Sequence, residues 1–150
     1  MILYLDTSAL VKRYLRELGS DEIIEWLVSA KLSGSSVLLK AEMAAAMSKA
    51  VRLGYIYQEE ANASWERFLI DWPELAHIAV SESLVTSAAA LAWDYKLCGV
   101  DSVHLASALA WREKFGEIIT LTTFDNELWE AGQRCGLDVL PVDLDSIITA

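Results

Sequence analysis

The sequence predicts an α/β fold, with a central, mostly parallel sheet of four or five short strands and helices on both faces. Three observations carry this. Short apolar runs, ILYL at 2–5, HIAV at 77–80 and IITLT at 118–122, alternate with longer segments of helical periodicity. Gly19, Gly54 and Pro73 fall between those segments, where they punctuate the chain. A length of 150 residues, 54 % of them hydrophobic, is enough for one domain with a real core.

Residues 2–5 read as a buried strand, followed by a helix from about Ser8 to Arg16. Ser20 reads as the N-cap of a helix over 21–32, whose acids at 21 and 22 suit its positive end. A short strand is expected at 36–38, ahead of an Ala-rich helix that Gly54 stops after Leu53. A helix over 58–72 ends at Pro73. Next come a strand at 77–80, helices at 82–96 and 101–115, a strand at 118–122, a helix at 125–134 and a strand at 138–140. Repeats, low-complexity tracts and linkers are lacking, so residues 1–150 are expected to form a single domain.

The mean hydropathy of +0.30 argues against disorder. No apolar run approaches the roughly 20 residues of a membrane span, and the N-terminus lacks the basic and long apolar regions of a signal peptide. A cytoplasmic protein with no membrane partner is expected. Cys98 and Cys135 stand far apart and form no metal spacing, as inert thiols would in a reducing compartment. The net charge of −10 sits badly with nucleic acid, but it is uneven. Residues 1–54 hold seven of the twelve basic residues, Lys12, Arg13, Arg16, Lys31, Lys40, Lys49 and Arg52, against six acids. A basic face from the N-terminal third is therefore allowed.

In open parallel sheets the working site lies beyond the carboxyl ends of the strands, where Asp6 (after ILYL) and Asp125 (after IITLT) should fall. Asp6, Asp101 and Asp125 each open a predicted helix, so each reads as an N-cap or as a ligand, and the two roles are compatible. Glu42 is different. It sits within the apolar stripe Leu39, Met43, Ala46, Ala50, Leu53 of its helix, where a carboxylate needs a cation, a proton or several hydrogen bonds. A buried Arg partner, or an edge position reaching solvent, would also satisfy it. If the four acids converge, pairs of them ~4 Å apart repel by ~4 kcal/mol at an effective dielectric near 20. A hard divalent ion, Mg²⁺ or Mn²⁺, resolves that repulsion with oxygen ligands, and no His/Cys cluster suggests zinc. Such a site can activate a water and neutralise a leaving phosphodiester oxygen.

Four segments, LDTSALVKRYLREL (5–18), LLKAEMAAAM (38–47), LCGVDSVHLASAL (97–109) and LTTFDNELWEAG (121–132), resemble in that order the motifs of PIN domains. The similarity is closest to VapC-type toxins of type II toxin–antitoxin systems, and it spans essentially the whole chain. It implies a PIN-like three-layer sandwich and a Mg²⁺- or Mn²⁺-dependent endoribonuclease acting on RNA. It also implies a homodimer, inhibited by a small cognate antitoxin protein. The family's acidic positions fall on Asp6, Glu42, Asp101 and Asp125, and its hydroxyl positions near the metal on Ser8 and Thr123.

Lys12 and Arg13 could reach RNA phosphate near Asp6, or form a solvated helix face. His104, three residues after Asp101, reads as a structural hydrogen-bonder ahead of a general base. Trp65 and Trp72 flank Phe68 and Leu69 at near-helical spacing, which reads first as core packing and second as an interface. Two other functions stay open on the residues alone. One is phosphoryl transfer through an aspartyl-phosphate at Asp6, against which Ser8 stands where a second Asp would serve. The other is a non-catalytic protein-binding module on the same fold.

Overall fold

In the computed structural model, which describes residues 1–149, five strands pair in the order β3-β2-β1-β4-β5, every neighbour parallel. They are β1 (Ile2–Leu5), β2 (Leu32–Ser36), β3 (Ala76–Ile78), β4 (Ile119–Thr122) and β5 (Asp138–Leu140). The helices between them are α1 (Thr7–Tyr14), α2 (Ser20–Ser29), α3 (Leu39–Arg52), α4 (Gln58–Asp71), α5 (Glu82–Tyr95), α6 (Gly99–Phe115) and α7 (Asn126–Arg134), followed by a short α8 (Leu144–Ile148).

The pleat of β1 sorts two cores, because successive side chains point to opposite faces. Ile2 and Tyr4 pack with Leu105, Ala108 and Trp111 of α6 and Leu128 and Ala131 of α7. Leu3 and Leu5 pack with Ala9 and Leu10 of α1, Ile23 of α2, Leu39 and Met43 of α3 and Phe68 of α4. A third cluster joins Leu84 and Ala88 of α5 to Val103 and Ala106 of α6. All four residues of β1 are buried, as a strand covered on both faces requires. The expected three layers are therefore present, with α1–α4 on one side of the sheet and α5–α7 on the other.

Phe68 is fully buried against Tyr14, Trp65 and Trp72, with ring centroids 5.2–5.6 Å apart. The aromatic run of α4 is thus core packing first, although Leu69 is 39 % exposed.

Several boundaries differ from expectation. The second strand runs over Leu32–Ser36, not 36–38, and α2 ends at Ser29. Apolar Val37 and Leu38 lie in the turn into α3, whereas the strand itself is LSGSS. Small residues are needed there: a Cβ on Gly34 would sit 2.2 Å from a ring carbon of Trp111 and 2.4 Å from the Ala76 carbonyl oxygen. Ser20 is the first residue of α2, not its cap, and its hydroxyl accepts from the Glu17 N–H. Gly19 is the N-cap, at φ +89°, tucked against Phe124. β3 covers 76–78 and α8 was not expected.

Candidate active site

The strand order reverses beside β1: its neighbours are β2 on one side and β4 on the other, and their chain continuations diverge to opposite faces. A crevice forms at the carboxyl ends of strands at such a point. Asp6 leaves β1 there and Thr123–Asp125 leave β4.

Asp6 caps α1, its Oδ1 accepting the Ala9 N–H at 3.0 Å. The Ser8 hydroxyl donates to both of its oxygens, at 2.8 and 2.9 Å, and itself accepts the Phe124 N–H at 2.8 Å. The Thr123 hydroxyl donates to Asp6 Oδ2 at 2.7 Å and accepts the Asp125 N–H at 3.1 Å. Ser8 and Thr123 therefore tie the end of β1 to the end of β4 through one carboxylate. Asp125 caps α7 by accepting the Leu128 N–H at 2.9 Å. For these two acids, cap and candidate site position coincide.

Asp101 is a correction. α6 begins two residues earlier, at Gly99, with Cys98 at its N-cap, so Asp101 lies inside the first turn and caps nothing. Its carboxylate accepts instead from the exposed Cys98 thiol at 3.0 Å. Glu42 lies on the flank of the α3 core face, which is Leu39, Met43 and Met47. Ala46 and Ala50 are only half-buried and Leu53 is exposed, so the stripe is narrower than predicted. The partner sought for Glu42 is not an Arg but His104, whose Nε2 lies 2.7 Å from Glu42 Oε1. His104 is buried and its Nδ1 meets the Tyr4 hydroxyl at 2.7 Å, which is the structural hydrogen-bonding expected of it.

Burial pushes the Asp6 carboxyl up to about 6, against the pull of His104 and the hydroxyls of Thr123 and Ser8. Asp101 is raised as well, by burial first and then by the negative charges of Asp125 and Glu42, with the Cys98 hydrogen bond and His104 opposing. His104 loses proton affinity to burial, but Glu42, Asp6 and Asp101 together more than restore it, so it lies above its ordinary range. Asp101 thus feels the charges of Asp125 and Glu42, and His104 those of Glu42, Asp6 and Asp101.

None of the four has a Lys or Arg partner among the described residues. Nor, among those residues, do three His, Cys, Asp or Glu side chains close tightly enough to hold an ion alone. The chemistry of the set still fits a hard divalent cation: carboxylate oxygen donors, two of them (Asp6 and Asp101) raised, and an ion type that keeps several waters. The Thr7 and Thr122 hydroxyls, beside Asp6 and Thr123 in sequence, are buried without a protein partner, as groups served by ordered water are.

Lys12 and Arg13 do not stand free beside this cluster. Lys12 pairs with Glu17 at 3.1 Å and lies over the Phe124 ring, and Arg13 pairs with Asp71 at 3.3 Å. The sequence did not single out Tyr4 or Cys98 as contributors. The only signal for Tyr4 was a hydroxyl inside an otherwise aliphatic strand.

A parallel sheet of this order, with Asp6 and Asp125 at the carboxyl ends of β1 and β4, defines a class, and the chain belongs to it: the PIN domain family, whose model matches residues 3–132. Among curated proteins it is 32 % identical, over 96 % of its length and 98 % of the relative, to Ribonuclease VapC45 of Mycobacterium tuberculosis. Among solved structures, FitAB bound to an IR36 DNA fragment superposes with a TM-score of 0.68, at 21 % identity, covering 93 % of this chain and 94 % of that one. VapBC2 from Rickettsia felis, bound to a DNA fragment from its promoter, gives 0.62 at 18 % identity, over 93 % and 97 %.

Proposed function

We propose that this chain is a Mg²⁺- or Mn²⁺-dependent endoribonuclease, the toxin of a type II toxin–antitoxin pair. What supports this reading is the carboxylates at the β1 and β4 ends: Asp6 is hydrogen-bonded to Thr123, Asp101 feels the charges of Asp125 and Glu42, and none of the four has a Lys or Arg partner among the described residues. The similarity to curated ribonucleases supports the choice of RNA.

In this reading Asp6, Asp101 and Asp125 hold the ion, and Glu42 completes the shell or orients the attacking water. Ser8 and Thr123 fix both oxygens of Asp6, so its lone pairs keep one direction. The ion, when bound, polarises the phosphodiester and steadies charge on the leaving oxygen. RNA phosphate is assigned to α3 in place of Lys12 and Arg13. Of the seven N-terminal cations, Lys12, Arg13, Arg16 and Lys31 each pair with an acid. Lys40, Lys49 and Arg52 have no acidic partner among the described residues, and all three lie on the helix that bears Glu42.

A cognate antitoxin and a second copy of the chain are the proposed protein partners. Exposed apolar side chains, Trp93 at 87 % and Tyr55 at 76 %, offer surface for them. No described helix is long and apolar enough to cross a membrane, and cytoplasmic action on RNA is proposed. The test is incubation of the purified chain with total RNA and Mn²⁺, followed by sequencing of the cleaved ends. Discrete cuts that vanish with excess chelator and in Asp101→Asn are expected. Cleavage that persists in chelator overturns the metal mechanism, and absence of cleavage alongside tight partner binding favours a binding module.

A further inference from the structure

The hydrogen bonds around His104 form a line that runs from the sheet to the site. The Ser36 N–H, at the end of β2, donates to the Tyr4 hydroxyl oxygen at 3.2 Å. That hydroxyl lies 2.7 Å from His104 Nδ1, and His104 Nε2 lies 2.7 Å from Glu42 Oε1. An ionised carboxylate only accepts, so the bond to Glu42 requires a hydrogen on Nε2. With both ring nitrogens engaged, the imidazole cannot turn over without losing both partners. The Tyr4 ring packs edge-on against His104 and Trp111, which fixes the hydroxyl in turn. Tyr4 and His104 are 0 % and 1 % exposed, whereas the Glu42 side chain is 27 % exposed. Among the described residues, the other Glu42 oxygen, Oε2, has no hydrogen-bond partner.

The geometry points to His104, locked by Tyr4, as the positioning residue that clamps one oxygen of Glu42 and presents the other to the ion. The inference rests on the nuclease reading above, and it gives His104 a role other than general base. A flexible Glu at a helix edge samples several rotamers, and a buried donor on one oxygen selects one of them. Partners behind metal ligands of this kind are worth about 10–100-fold in metal affinity or activity.

The test compares His104→Leu, His104→Gln and Tyr4→Phe with the wild type. Mn²⁺ affinity is read by electron paramagnetic resonance without RNA, and kcat and KM are read on a cleaved oligonucleotide. Leu fills the ring's place without a donor, so Mn²⁺ affinity should fall about 10–100-fold, with kcat lowered and the KM for RNA unchanged. Gln carries an amide N–H to nearly the Nε2 position and should stay within about threefold of wild type, a rescue that a space-filling role would not need. Tyr4→Phe keeps the core volume and should shift affinity in the same direction as Leu, by less. Nitrogen NMR of the two histidines, assigned with His77→Gln, should find a hydrogen on His104 Nε2. A bare Nε2, or wild-type Mn²⁺ affinity in folded Leu and Phe variants, overturns the positioning role alone. A wild type that binds no Mn²⁺ overturns the nuclease reading and this inference with it.

Discussion

Replacing Asp6 by Asn should make the metal-free protein more stable while abolishing its activity. The Asp6 carboxyl rises from an ordinary 3.8 to about 6 in a residue only 4 % exposed. At 1.36 kcal/mol per pH unit, holding that carboxylate ionised at neutral pH costs the fold about 3 kcal/mol. A raised acid binds its proton more tightly when folded. Its cost is therefore absent below about pH 3.8, grows as pH rises to about 6, and is constant above that. Asn removes the charge and keeps an oxygen for the Ala9 N–H, but turns amide hydrogens toward the rotatable hydroxyls of Ser8 and Thr123. That mismatch returns about 1 kcal/mol, leaving a gain of about 2 kcal/mol, or roughly 4–8 °C in Tm for a chain of this size. The assay is urea unfolding of both proteins in chelator from pH 4 to 8. The difference should open between pH 4 and about 6 and then level off, and added Mn²⁺ should reverse its sign by stabilising only the wild type. A variant less stable than wild type at pH 7.5 in chelator, or a difference that does not change with pH, would refute the reasoning.

Gly34→Ala should cost at least about 3 kcal/mol in urea unfolding, because the new methyl meets Trp111 and a backbone carbonyl together. Lys49→Gln combined with Arg52→Gln should weaken single-stranded RNA binding and flatten its salt dependence by about 0.7 per lost phosphate contact. A titration of affinity against salt at fixed Mg²⁺ measures this, and an unchanged slope would remove α3 from the RNA path. Cys98→Ser preserves a donor to Asp101 and should leave cleavage within about twofold, whereas Cys98→Val should slow it, as initial rates will show.

The parts of the fold that were readable in the sequence are those where burial and periodicity agree. β1 and β4 are apolar runs because they are covered on both faces, and the capped helix starts at Asp6 and Asp125 are local signals. β2 was misplaced because its burial is achieved by Gly34, Ser35 and Ser36, small residues forced by the close approach of Trp111 and β3. Asp101 looked like a cap because Gly99 and Val100 carry no start signal of their own. Within the site, the stripe position of Glu42 exposed its need for a partner. The partner itself lies 62 residues on, and the Tyr4–His104 contact spans 100, distances at which spacing carries no information. The engagement of Lys12 and Arg13 by Glu17 and Asp71 was likewise hidden, since net charge by segment does not say which cations are already neutralised.

Asp6 and Asp125 each hold the first turn of a helix by accepting a backbone N–H, from Ala9 and Leu128. An ion held by Asp6 and Asp125 would therefore share those carboxylates with the first turns of α1 and α7, coupling its occupancy to the breathing of two helix ends on opposite faces of the sheet. Hydrogen–deuterium exchange at the Ala9 and Leu128 amides would then act as a built-in gauge of the site, readable without any RNA.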